Sequence, residues 1–205
     1  MRESDSLFTK FDLSAVLEAQ KAKVREVVET ADEDAVLEYP ARVAEETLEA
    51  LSIAPLELHV DRASVAKEET QIDVSSDQRR AIFDRSRPCY VPGTVVRYYV
   101  PFSGEANLFR AHPNEYDFNP PRGVVENGEL VLCYEVEGAK VSETKVEYEH
   151  DLGRIKTYVG RVNAMVEAFN AVLPGMVQQQ VAVRQQRLAQ AQKGLEELGL
   201  PIRGR

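Results

Sequence analysis

Four arginines crowd into nine residues: Arg79, Arg80, Arg85 and Arg87, with Tyr90 just beyond and Pro88 and Pro92 on either side of that ring. Planar guanidinium forks suit phosphate and carboxylate groups, and a nearby aromatic ring can stack against them. The cluster is therefore the candidate anion or nucleic-acid site, with Arg184, Arg187, Arg203 and Arg205 as helpers. The competing reading is that Asp77 and Asp84 neutralise these arginines in surface ion pairs. That reading is favoured, because exposed pairs of this kind are common.

The other reactive side chains assemble no recognisable site. His59, His112 and His150 are isolated, and none has the i, i+4 or Cys-x-x-Cys spacing that places two metal ligands on one face. His150-Asp151 has the letters of a metal phosphohydrolase doublet but too few further histidines to complete it. Cys133, in the alternating run LVLCYEV, is expected as a small core residue, and Cys89 as a plain buried thiol. Two cysteines make neither a zinc cluster nor a disulfide framework. There is no G-x-S-x-G elbow, no phosphate-binding glycine loop and no strand-borne nuclease carboxylate. Glu143-Thr144-Lys145 has nuclease letters but opens a helix. The expectation is a non-enzyme with no catalytic residue, metal or cofactor.

These side chains must be carried by elements of three kinds. Leu13, Val16, Leu17, Val24, Val27 and Val28 fall on one helical stripe, capped by Asp12 or Ser14. A second helix starts near Pro40, a residue suited to the first turn, and runs to Leu51. The period then drops to two at Leu56, Leu58 and Val60, which predicts a half-buried strand. Weak strands follow at 70–74 and 107–111, one or two helical turns at 77–83, and a strong strand at Thr94–Val100 stopped by Pro101. Asn127-Gly128 between two β-rich runs predicts a type I′ hairpin.

The last third changes character. Leu152, Ile155, Val159, Val162, Val166 and Phe169 recur at spacings of 3 and 4, as do Val177, Val181, Arg184, Leu188, Ala191, Leu195 and Leu198. Each is a heptad seam. Leu173-Pro174-Gly175 between them predicts a turn, and Gly199 with Pro201 a stop. The fold class expected is thus α+β: N-terminal helices over 13–51, a central antiparallel sheet over 56–136, and a C-terminal antiparallel helical hairpin. The division expected is a 1–140 body and a 141–205 hairpin. Tyr148, Tyr158 and Met165 lie off the seam and need cover, from the sheet or from a second chain. This favours a homodimer built through Leu152, Ile155, Val159, Val162, Val166, Phe169, Val177, Val181, Leu188 and Leu195.

Charge is uneven. The net charge of −9 divides into −13 over residues 1–150 and +4 over 151–205. An acidic body disfavours wholesale coating of nucleic acid, whose binding is mostly electrostatic. No stretch nears the roughly 18 apolar residues of a membrane span, and the first residues lack a secretory apolar run, so a cytoplasmic protein with reduced thiols is expected.

A set of turn and strand markers also carries a resemblance. These are Asp84-Arg85-Ser86-Arg87-Pro88, Tyr90-Val91-Pro92-Gly93-Thr94, Val100-Pro101-Phe102-Ser103-Gly104, Leu108-Phe109-Arg110, Pro120-Pro121-Arg122, Phe169-Asn170 and Leu198-Gly199-Leu200-Pro201-Ile202-Arg203. Together they resemble the N-terminal half of uncharacterised bacterial proteins whose C-terminal half is similar to restriction-endonuclease-like nucleases. The resemblance spans residues 52–205. It implies a domain that positions or regulates an effector nuclease, in defence against foreign DNA, and it carries no catalytic residue onto this chain. The reading is a non-catalytic, self-associating regulatory module, with nucleic-acid binding through the arginines as the alternative.

Overall fold

The computed structural model describes residues 5–115, 117 and 119–199. The fold is mixed α+β. In chain order the elements are β1 (Asp5–Ser6), β2 (Phe11–Asp12), α1 (Leu13–Thr30), α2 (Glu33–Glu38), α3 (Pro40–Leu51), β3 (Glu57–Leu58), β4 (Ser64–Asp73), β5 (Tyr90–Ser103), β6 (Ala111–His112), β7 (Arg122–Glu126), β8 (Glu129–Glu137) and α4 (Thr144–Glu197). They form two compact units, Met1–Asp12 with Pro55–Asn163 and Leu13–Ala54 with Ala164–Arg205. Neither is the 1–140 body or the 141–205 hairpin expected from composition. The composition shift marks where α4 begins, whereas the compact units share that helix out between them.

The C-terminal helical hairpin does not form. Residues 144–197 are one uninterrupted α-helix with Pro174 inside it. The physical reason lies in Leu173, which joins the two seams. From Leu152 to Arg184 the buried positions 155, 159, 162, 166, 169, 173, 177 and 181 make nine steps in 32 residues. That averages about 3.6 residues per step, the period of a straight helix, so a single stripe stays on one side. Pro174 and Gly175 are exposed, while Leu173 and Val177 are fully buried. A proline inside a helix costs about 3 kcal/mol. Burying two such apolar side chains returns about 1.5–3 kcal/mol each, which offsets it.

In the first unit the sheet runs β1-β7-β8-β5-β3, with β4 also paired to β5, all antiparallel. β2 and β6 make a separate two-residue parallel pair. Asn127 and Gly128 have φ of 53° and 78°, the two positive values a type I′ turn requires, and Glu126 pairs with Glu129 across it. Pro101 does not stop the strand, and Pro92 does not delay it, because each faces a position just past the end of a neighbouring strand whose carbonyl finds another donor: Gly138 O accepts from Thr94 Oγ1 and His59 O from Arg62 N. The Pro92 carbonyl accepts from Gly138 N beyond the end of β8, and that of Pro101 accepts from His59 N between β3 and β4.

Four other local expectations change. Residues 106–110 form a 3-10 turn ahead of the short β6, and 60–62 form another in place of a continuing strand. No helix forms at 77–83. Cys133 is exposed: it lies on the face of β8 opposite Leu130 and Leu132, directly across from Arg97 of β5.

The tyrosines that lie off the seam find cover within this unit. Tyr148 stacks on Tyr98 at 4.1 Å between ring centroids, and Tyr158, 2% exposed, stacks on Phe8 at 5.1 Å. The Tyr158 hydroxyl accepts from Asp117 N at 2.7 Å. Tyr98 Oη meets Thr144 Oγ1 at 2.9 Å. Asn163 pairs with the backbone of Leu56 in both directions, accepting from its N–H at 2.9 Å and donating to its carbonyl at 2.7 Å.

The second unit places α1, α2 and α3 with the rest of α4. Asp32 caps α2 by accepting from Ala35 N at 3.0 Å. Pro40 opens α3 as expected. Leu13, Val24, Val28 and Val36 are buried here, as are Val166, Phe169, Leu173 and Val177 of α4. Asn170 repeats the Asn163 device one heptad later. It accepts from Ile53 N at 3.2 Å and donates to Ile53 O at 2.7 Å.

Candidate interaction surfaces

The arginine cluster sits in the loop joining β4 to β5. Asp73 closes the base of that loop, its Oδ1 accepting from Ser75 N at 2.9 Å and Cys89 N at 3.1 Å. Two of the arginines, Arg80 and Arg85, are engaged by neighbouring groups. Arg80 pairs with Asp77 at 3.2 Å and with Glu137. Arg85 donates to three carbonyls: Ser75 at 3.3 Å, Asp77 at 3.0 Å and Arg80 at 2.7 Å. Arg87 lies 3.7 Å from Asp84. The Arg79 side chain is exposed, and its backbone N–H caps Asp77 at 3.0 Å. Backbone hydrogen bonds lower the Asp73 and Asp77 pKa values, and the Ser86 hydroxyl lowers that of Asp84, so these carboxylates stay ionised beside the arginines. Arg80 and Arg85 thus spend donors on the loop backbone, Asp77 and Glu137, while Arg79 and Arg87 stay exposed.

The helper arginines are engaged too. Arg184, the one polar residue of the seam, is 5% exposed and donates to the Val28 carbonyl, in the last turn of α1. A cation at that end also complements the helix dipole. Arg187 grips Glu29 through both oxygens, which lowers the Glu29 pKa. Arg203 and Arg205 lie outside the described residues. His150 belongs to no metal cluster among the described residues, and its neighbour Asp151 accepts from the Tyr134 hydroxyl at 3.1 Å.

The predicted interface residues divide sharply. Leu152, Ile155, Val159, Val162, Val166, Phe169, Val177 and Val181 are buried within the chain. They are core, and no second copy is needed to cover them. Leu188 is half-buried, and every described residue from Ala189 onward is exposed. Leu195 is 47% and Leu198 67% exposed, on the same stripe that is buried as far as Arg184. Sequence spacing found this stripe but could not show where its intramolecular cover ends.

A shallow groove of about 400 Å³ between α3 and α4 is lined by Pro40, Ala44, Leu48, Val181 and Ala182, with Glu45 as its one charged member. It gathers no set of groups for proton transfer or nucleophilic attack. Comparisons with protein-family models, curated proteins and solved structures find no match to this chain. No helix among the described residues is long and apolar enough to cross a membrane.

Proposed function

We propose that the chain is a non-catalytic interaction module, cytoplasmic, that self-associates through the exposed end of α4. The carrying observation is the heptad stripe continuing past its own cover. Leu188, Ala191, Leu195 and Leu198 extend the buried seam at spacings of 3, 4 and 3, and the last three are exposed. Apolar residues at that spacing are what a partner helix covers. Antiparallel pairing about Lys193 sets Leu188 against Leu198 and Ala191 against Leu195. It also brings Arg187 at one end towards Glu196 and Glu197 at the other, whereas parallel pairing aligns like charges. The homodimer expected from sequence is thus kept, with its contact moved from a hairpin to the helix end.

The resemblance to the N-terminal half of nuclease-bearing proteins supports a sensing or scaffolding role, with the dimer arranging an effector nuclease for defence. Nucleic-acid binding through Arg79, Arg80, Arg85 and Arg87 is not favoured, since Arg80 and Arg85 are held by Asp77, Glu137 and loop carbonyls. The test is light scattering on the full chain beside a Leu195→Glu, Leu198→Glu variant. The proposal expects the mass of the parent to rise with concentration above that of the variant, which lacks the helix contact. Equal masses for the two at all concentrations would refute the helix contact.

A further inference from the structure

β4 is ten residues long, lies at the edge of the sheet, and is exposed along nearly its whole length. Its register with β5 decides which backbone groups face outward. Val74 N donates to Cys89 O at 2.8 Å, one step beyond the Asp73–Tyr90 pair. Hydrogen-bonded pairs alternate along an antiparallel ladder, so the even-numbered residues of β4 turn their N–H and C=O groups to β5. Val65, Lys67, Glu69, Gln71 and Asp73 turn theirs away. Among the described residues no backbone group bonds those of 65, 67, 69 and 71. That row is a template for another strand.

The charges select the strand. Lys67 and Glu69 share one face of β4, and Glu68 points to the other, where it meets Arg97 at 2.7 Å. An arbitrary partner leaves Lys67 or Glu69 uncompensated at the new ladder, which deters pairing. A second β4, antiparallel and centred on Glu68, compensates both. Lys67 then stands directly opposite Glu69 of the other copy, twice by symmetry, and the strands overlap almost fully. The parity is also right, since odd residues meet odd residues and the outward-facing groups pair. Shifting the centre to Glu69 or Lys67 sets like charges opposite one another. At the chosen centre the two Glu68 side chains face each other, and each brings its own Arg97.

We propose that β4 pairs edge to edge with β4 of a second copy, antiparallel about Glu68, joining two sheets into one. This contact does not rest on the helix reading. The experiment is sedimentation velocity on the full chain carrying Leu195→Glu and Leu198→Glu, so that failure of either contact is read separately. In that background a dimer is expected. Lys67→Glu and Glu69→Lys should each weaken it roughly tenfold or more, since two attractive cross-strand pairs become repulsive. Mixing the two single variants should restore it, and so should the double reversal Lys67→Glu, Glu69→Lys. Circular dichroism should show the same fold in every variant. A background protein that stays monomeric, or reversals that leave its dimerisation unchanged, would overturn the proposal.

Discussion

Replacing Pro174 with alanine asks whether the chain passes straight through residues 173–175. In α4 this proline is exposed, and the Asn170 carbonyl four residues before it receives no N–H from position 174. Alanine restores that donor and removes the ring's clash with the carbonyl, worth up to about 3 kcal/mol in a helix interior. Against this, the freer alanine gives back about 0.4–1 kcal/mol through the unfolded chain. The net expectation is stabilisation by about 2 kcal/mol. Gly175→Ala should add about 1 kcal/mol, because a Cβ there meets nothing within 4 Å. Urea denaturation followed by circular dichroism measures both, with the shift read at constant m-value. A turn at this point gives the opposite sign, since proline and glycine stabilise turns. If both variants are less stable than the parent, the single-helix description is wrong.

Other consequences are as specific. Gly104 has φ of +97°, and a Cβ there would sit 2.0 Å from the Pro55 carbonyl oxygen, so Gly104→Ala should lower stability by several kcal/mol in the same denaturation assay. Asn170→Ala strands the Ile53 N–H and C=O and should cost about 1–3 kcal/mol, whereas an exposed neighbour such as Ala171→Ser should stay within about 0.5 kcal/mol. The Asp73 and Asp77 pKa values lie below the usual 3.8, so ionised carboxylates hold the arginine loop at neutral pH, and that contribution fades as pH falls through the lowered values. Carboxyl-detected NMR titration should place both midpoints below 3.8, and midpoints at or above it would contradict the loop's hydrogen bonding.

Much of the architecture is legible in the residues. The α1 stripe, the Pro40 start and the Asn127-Gly128 turn follow from spacing and from backbone chemistry that few other residues satisfy. The pairing of Arg80 and Arg87 with Asp77 and Asp84 also follows, since the acids stand three residues from their partners. What sequence reading misses has common causes. Only the end of β4 is announced, by the weak strand at 70–74; its first half carries Lys67, Glu68 and Glu69 and is exposed on both faces, so no hydrophobic alternation marks it. Cys133 sits in an apolar run but on the face opposite Leu130 and Leu132, across from the charged Arg97. At Pro174 a local rule meets a longer-range one. Proline disfavours a helix, but the unbroken stripe through Leu173 outweighs it. Arg184 reads as a flaw in the seam because its partner, the Val28 carbonyl, is a backbone group 156 positions away.

The most direct measurement of the self-association claim is amide hydrogen exchange of the segment from Leu188 to Leu198, followed across a hundredfold range of protein concentration. Covered by a second copy, these amides should exchange more slowly as concentration rises, while those of α1 stay constant. Rapid exchange that is the same at every concentration would show that the end of α4 has no partner of its own kind.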